Sequence, residues 1–222
     1  MIKLKNINKI FTDNNQQSFQ ALKNLSLEIQ KNECVLLHGS SGSGKTTLLH
    51  IIASLMKPSD GLVEVNNKNI VSFSDYHASI YRHKTIAYIT QSFYLFDALS
   101  VEQNLLPCLV LETLTPLEIE QKISQALSLA NIAHKAKQKV STLSGGEKQR
   151  CIIARAIVNN PEIILCDEPT ANLDKENSLH FMEVMKKLKK RGKTIVIATH
   201  DPIFHNLEWV DKTFYIKDGY LE

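Results

Sequence analysis

Cysteine is scarce in this 222-residue chain: there are four, Cys34, Cys108, Cys151 and Cys166, with no C-x-x-C spacing and no neighbouring histidine pattern. That excludes a disulfide framework and a thiolate metal cage, and it fits a reducing compartment with mostly buried thiols. No run approaches the roughly 20 apolar residues that span a bilayer, and the amino terminus has no apolar stretch of signal-peptide length. Charge of one sign is also missing. Formal net charge is only +3, and the densest basic run, Lys186 to Arg191, has no aromatic residues interleaved as a nucleic-acid surface would. It reads as a solvated helix end. With 43% hydrophobic and 22% charged residues, the chain is ordinary for a globular protein. Glycine is rare too, and five of the eight glycines sit in two short strings, at 39–44 and 145–146.

The first string, Gly39-Ser40-Ser41-Gly42-Ser43-Gly44-Lys45-Thr46, fits G-x-x-x-x-G-K-[ST]. In that pattern successive backbone N–H groups cradle phosphate oxygens, Lys45 reaches the β and γ phosphates, and the Thr46 hydroxyl ligates Mg²⁺. Glycine is needed because side chains would block the approach. By average composition such a match arises by accident in roughly one unrelated chain of this length in a hundred. The flanks strengthen it. Cys34-Val35-Leu36-Leu37 reads as a buried strand and Thr47 to Ala53 continues as a helix, the context the motif requires. Ile163-Ile164-Leu165-Cys166 reads as a second buried strand ending in Asp167-Glu168, so two carboxylates lie at the edge where open α/β sheets bind ligands. Asp167 is placed to hold Mg²⁺, and Glu168, facing another way by strand alternation, is the candidate to polarise an attacking water.

The second string, Leu143-Ser144-Gly145-Gly146-Glu147, contains Ser-x-x-Glu, a capping box that opens a helix with Ile152, Ile153, Ala156 and Ile157 on its apolar face. Two glycines at a helix N-terminus also expose N–H groups and partial positive charge to an anion.

At this point the chain resembles the ATP-binding-cassette (ABC) family over essentially its whole length. Gln91 stands where that family has its Q-loop glutamine. The signature 143–147, the Walker B pair Asp167 and Glu168, the D-loop Ala171-Asn172-Leu173-Asp174 and His200 after Thr194 to Thr199 follow in the family's order. The resemblance implies a phosphate-loop NTPase α/β fold with a parallel core sheet, an antiparallel β edge and an inserted helical subdomain. It also implies ATP and Mg²⁺ as ligands. Glu168, His200 and Gln91 would be catalytic, and Thr46, Gln91 and Asp167 would hold the metal. Nucleotide would be bound by Phe11, the loop from Gly39 to Thr47 (Gly39, Ser40, Ser41, Gly42, Ser43, Gly44, Lys45, Thr46, Thr47), Ser144, Gly145, Gly146, Glu147 and Asp174. In the family the signature meets ATP held on the opposite subunit. A head-to-tail homodimer sandwiching two ATP molecules is therefore implied, since one chain carries two half-sites and completes neither.

Some residues keep two readings. Phe11 either stacks on adenine or packs in the core after the Ile2-Lys3-Leu4 strand; His200 either contacts the γ-phosphate or simply ends an apolar strand. The aromatic stretch Ser92 to Leu99 either packs the subdomains together or lines a groove for a helix of a membrane partner.

Organisation follows the texture of the chain. A single domain over 1–222 is expected, with a core of about 1–91 and 159–222 and a helical signature subdomain of about 92–158. Up to Gln91 the core reads as strands apart from the phosphate-loop helix, with Met1 to Lys5 alternating like an edge strand. Thr115-Pro116-Leu117-Glu118 is a capping box with proline at the first helical position, followed by an apolar face of Ile119, Ile123, Ala126, Leu127 and Ala130. No appended regulatory domain, fused second cassette or long coiled-coil insertion is expected. Asn172 resembles the group serving lipoprotein release, macrolide export and cell division (LolD, MacB and FtsE type), although Ala171 departs from that group's usual glycine. The expected role is an ATP-hydrolysing subunit on the inner face of the cytoplasmic membrane, driving a separate permease chain, without nucleic acid. The alternative is an ATP-dependent dimerisation switch with no transport partner.

Overall fold

In the strands Cys34–His38, Ile163–Asp167 and Thr194–Thr199, successive side chains point to opposite faces, yet nearly all are buried. Such runs demand a sheet covered on both sides. The computed structural model, which describes residues 2–14 and 16–222, provides one. Its elements are β1 (Ile2–Thr12), β2 (Ser18–Ile29), β3 (Cys34–His38), α1 (Lys45–Ile52), β4 (Asp60–Val65), β5 (Lys68–Asn69), α2 (Asp75–Thr85) and β6 (Ile86–Ile89). There follow α3 (Pro116–Leu129), α4 (Gly145–Ile157), β7 (Ile163–Asp167), α5 (Lys175–Lys190), β8 (Thr194–Thr199), β9 (Lys212–Lys217) and β10 (Tyr220–Leu221).

The six-stranded sheet runs in the order β10-β9-β3-β8-β7-β6; its pairings from β9 to β6 are all parallel, and β10 pairs antiparallel. Alternation sorts its side chains into two cores. Leu36, Ile164, Cys166, Ile195 and Ile197 pack with α3, α4 and α5 on one face, through residues such as Ile153, Phe181 and Met185. Val35, Leu37, Leu165, Val196 and Ala198 pack on the other with Leu48, Leu49 and Ile52 of α1 and with β1, β2 and β4. Each such Leu or Ile contributes about 1.5–3 kcal/mol by leaving water. The second, antiparallel sheet has the order β2-β1-β4-β5. Its β1 is paired on both sides, Leu4 lying opposite Leu27 and Val63, so the expected edge strand is a central one. Alternation reveals a half-buried strand but not how many neighbours it has. Met1 itself lies outside the described residues.

Between residues 92 and 158 the regular elements are helical, including 3₁₀ turns at Leu106–Leu109, Ala133–Lys135 and Val140–Thr142. The capping boxes at Thr115/Glu118 and Ser144/Glu147 both form, with Pro116 at the first helical position. Ile123, Ala126, Leu127 and Ala130 are buried as the helical period requires, and Ile119 packs partly buried against them. Helix α2 departs from the strand reading of the first 91 residues. Its only buried side chain is Ala78, so it carries no apolar stripe to announce it; the Ser74 cap accepting from the His77 N–H and the acidic Asp75 mark its start.

Candidate nucleotide site

Because β3, β8, β7 and β6 are parallel and adjacent, their carboxyl ends share one sheet edge. That edge carries the loop 39–44 from β3, Asp167 and Glu168 from β7, His200 from β8 and Gln91 two residues beyond β6. Four segments widely separated in sequence converge there because the strands fold side by side in register.

The phosphate loop is held at both ends by close backbone approach. A Cβ on Gly39 would collide with the Ile216 carbonyl, and Gly44, at φ 110°, would place one 2.7 Å from the Ala21 carbonyl oxygen. Ser40, Ser41 and Gly42 are exposed, whereas Ser43 is buried. Lys45 opens α1 and is almost fully buried. Its Nζ donates to the carbonyls of Gly39 (2.7 Å) and Ser40 (3.0 Å) and lies 3.3 Å from Glu168 Oε1. The Thr46 hydroxyl donates to Asp167 Oδ1 at 3.0 Å, and Thr47 follows on the same helix.

Asp167 ends β7 and Glu168 turns the chain with φ 45°, a left-handed conformation uncommon outside glycine, asparagine and aspartate. The Glu168 N–H donates to the Ala198 carbonyl at 2.8 Å, so the turn is pinned to β8. This re-aims the second carboxylate: Glu168 Oε1 is 3.0 Å from His200 Nδ1, and Oε2 accepts the His200 N–H at 3.3 Å. Burial raises the Glu168 carboxyl, but the His200 hydrogen bond and the charges of Lys45 and His200 outweigh it, leaving its pKa below the ordinary value. Asp167 is shifted the other way: burial raises it, the Thr46 hydrogen bond opposes, and the Glu168 charge adds to the rise. Adjacent carboxylates in one site are thus driven apart, as acid–base sites require.

A Mg²⁺ ion suits these donors. The Thr46 hydroxyl and the Asp167 carboxylate are hard oxygens already in contact, and a cation beside Asp167 would offset the burial that raises its pKa. Among the described residues no group of three or more His, Cys, Asp or Glu could cage a metal ion. Mg²⁺ characteristically binds through one or two carboxylates and shares substrate phosphates. Gln91 is exposed, and its carbonyl accepts from Asn172 Nδ2 at 3.3 Å.

The signature turn is a separate surface. Glu147 Oε2 accepts the Ser144 N–H at 2.8 Å, Ser144 Oγ accepts the Glu147 N–H, and Lys135 lies 3.2 Å from Glu147. Nothing lies within 4 Å of a Cβ built on Gly145, while the same face of Gly146 is covered by Asn177. Among the described residues no hydrogen bond or ion pair joins Ser144, Gly145, Gly146 or Glu147 to the phosphate loop. Asp174 caps α5, accepting the Asn177 N–H at 2.8 Å. Phe11 is 38% exposed rather than packed in the core, with Lys9 Nζ 5.1 Å from its ring centroid.

Three residues near these groups gain contacts that the sequence did not announce, and two of them, Tyr88 and Asn177, went unremarked there. Tyr88 points its hydroxyl at Asp167 Oδ2 (3.5 Å), Asn172 ties the D-loop to Gln91, and Asn177 joins Asp174 to α4. For Tyr88 the signal was strand alternation two residues before Thr90; for Asn177 it was its place one turn into a capped helix. In the aromatic stretch, Phe93 and Leu95 pack against the core, whereas Tyr94 and Phe96 are 74% and 56% exposed. The packing reading therefore holds for Phe93 and Leu95, while Tyr94 and Phe96 face outward.

The ABC transporter family model matches residues 22–171. The lipoprotein-releasing system ATP-binding protein LolD of Pseudoalteromonas translucida is 35% identical over all of this chain and 94% of its own length. The macrolide export ATP-binding/permease protein MacB of Campylobacter jejuni is 39% identical over 99% of this chain, which covers 33% of that longer protein. Among solved structures, the dimeric post-hydrolysis state of the cassette MJ0796 bound to ADP and Pi superposes with a TM-score of 0.91 at 36% identity, covering 100% of this chain and 97% of that one. With the phosphate loop, two carboxylates and histidine on one edge and these relatives spanning its full length, the chain belongs to the ABC transporter family, as an ATP-binding subunit that hydrolyses ATP.

Proposed function

We propose that this ATPase works as a head-to-tail homodimer that closes on two Mg-ATP molecules and drives a separate membrane permease of the lipoprotein-release, macrolide-export or cell-division type. The observation carrying this reading is the division of the site: Glu168 pairs with Lys45 and His200, and Asp167 with Thr46, at one sheet edge, while no hydrogen bond or ion pair among the described residues joins the open glycine face at Gly145 to that edge. In this reading Gly39 to Thr47 hold the phosphates and Phe11 the base. Thr46, Asp167 and Gln91 hold Mg²⁺, which supplies charge neutralisation at the transferring phosphoryl group. Lys45 neutralises the β and γ phosphates, Glu168 takes the proton of the attacking water, and His200 orients Glu168 and the γ-phosphate. Ser144, Gly145, Gly146, Glu147 and Asp174 serve the partner's nucleotide.

About 1–91 and 159–222 form the catalytic core, and about 92–158 the helical subdomain that moves against it. Arg155 of α4 donates to the Tyr94 carbonyl at 2.7 Å and lines a groove of about 270 Å³ with Arg82, Tyr88, Cys108 and Asn159. The exposed rings of Tyr94 and Phe96 suit the neighbourhood of an entering helix of the permease. Among the described residues no helix is long and apolar enough to cross a membrane. The reading places the ATPase at the inner face of the cytoplasmic membrane, beside a permease on a separate chain. Mg-ATP turnover by the purified chain, together with co-purification from membranes and identification of the bound partner, tests this function. Absence of any turnover, with or without that partner, contradicts it.

A further inference from the structure

Asn177 makes more contacts than a residue in the first turn of a helix needs. Its Nδ2 donates to both carboxylate oxygens of Asp174, each at 3.0 Å, while its Oδ1 accepts from Arg150 Nη1 of α4 at 2.8 Å. The same amide lies flat against Gly146, where an added Cβ would coincide with it. Only an amide of this length offers a donor to a carboxylate and an acceptor to a guanidinium at once; aspartate would set two carboxylates together. Besides this bridge, α4 is tied to the segment following β7 by the buried Gln149, whose Nε2 donates to the Pro169 carbonyl at 2.9 Å.

We propose that Asn177 is a positioning residue that locks the signature turn and the Asp174 corner into one rigid unit, so that both meet the second copy of this chain together. The proposal rests on the two-chain site described above and adds the element that couples its halves. Asn177 makes no hydrogen bond to the phosphate loop, Asp167, Glu168 or His200. Loss of the bridge should therefore spare nucleotide binding by the single chain and weaken what needs two chains.

The test uses Glu168→Gln, which arrests turnover, alone and combined with Asn177→Ala or Asn177→Asp. ATP-driven dimerisation should weaken about tenfold in both combinations, with the affinity of the monomer for Mg-ATP unchanged and the melting temperature held in at least one of them. In the hydrolysing chain, Asn177→Ala should lower turnover and bring the Hill coefficient for ATP from about 2 toward 1. A loosened α5 alone would lower the melting temperature of both variants and leave dimer affinity and cooperativity in place, which overturns the proposal. Dimers as tight as those of Glu168→Gln alone overturn it as well, leaving the two-chain site standing. A Glu168→Gln chain that never dimerises brings down that site and the proposal with it.

Discussion

Asp167 and Glu168 are neighbours in sequence with opposite pKa shifts, and this sets their separate consequences. For Glu168, held below its ordinary 4.5, the stabilising contribution is present above that value and is lost as pH falls through the lower folded value. The carboxylate therefore stays ionised through neutral pH, as a proton acceptor must. For Asp167, held above its ordinary 3.8, the sign reverses: stability is full below 3.8 and is lost as pH rises through the folded value. Asp167→Asn keeps an acceptor for the Thr46 hydroxyl and removes that loss. It should raise the melting temperature of the apo chain by about 1–3 °C near neutral pH, with the gain fading toward pH 3.8, while ATP turnover disappears. A melting temperature equal to or below that of the parent at neutral pH contradicts this assignment of Asp167. Lys45→Ala removes the cation that touches Glu168 and two loop carbonyls. Nucleotide titration of that variant should show much weaker binding and no turnover, and an unchanged affinity would remove Lys45 from the phosphate site.

Among the elements, those with a strong local signal were read correctly from the chain. The capping boxes at Thr115 and Ser144 are set by residues three apart, and the strands 34–38, 163–167 and 194–199 by continuous apolar runs. Thr115→Ala should lower the melting temperature by about 2–4 °C and leave ATP turnover unchanged, because α3 lies in the helical region away from the sheet edge. Calorimetry beside a turnover assay checks both halves. The elements misread are those whose placement depends on tertiary partners. Helix α2 buries only Ala78 and so lacks a stripe, and β1 alternates whether it has one neighbour or two. The site shows the same division. Lys45, Thr46, Asp167 and Glu168 announce themselves by pattern, whereas Tyr88 and Asn177 acquire their contacts only when β6 meets β7 and α5 meets α4. The left-handed turn at Glu168, which aims it at His200 rather than along the strand, has no local sequence signal either.

For the molecule as a whole, the proposed link to a permease runs through the outward rings near Gln91. Tyr94 stands at φ 35° with its carbonyl held by Arg155, so asparagine, which tolerates that conformation, is the substitution that removes the ring and keeps the turn. Tyr94→Asn should leave the ATPase activity of the isolated chain intact and abolish its stimulation by, or co-purification with, the membrane partner; full coupling would place the contact elsewhere. Phe93 packs against the core, so its replacement should lower stability instead. In the proposed dimer, a second copy brings the two glycine strings, one on the sheet edge and one on α4, onto one nucleotide. The direct measurement is the solution mass of the Glu168→Gln chain, 25.1 kDa as a monomer, by light scattering with and without Mg-ATP. A doubling of mass that depends on ATP is the predicted result. A monomer at saturating ATP, in the presence of the membrane partner as well, would contradict the shared site.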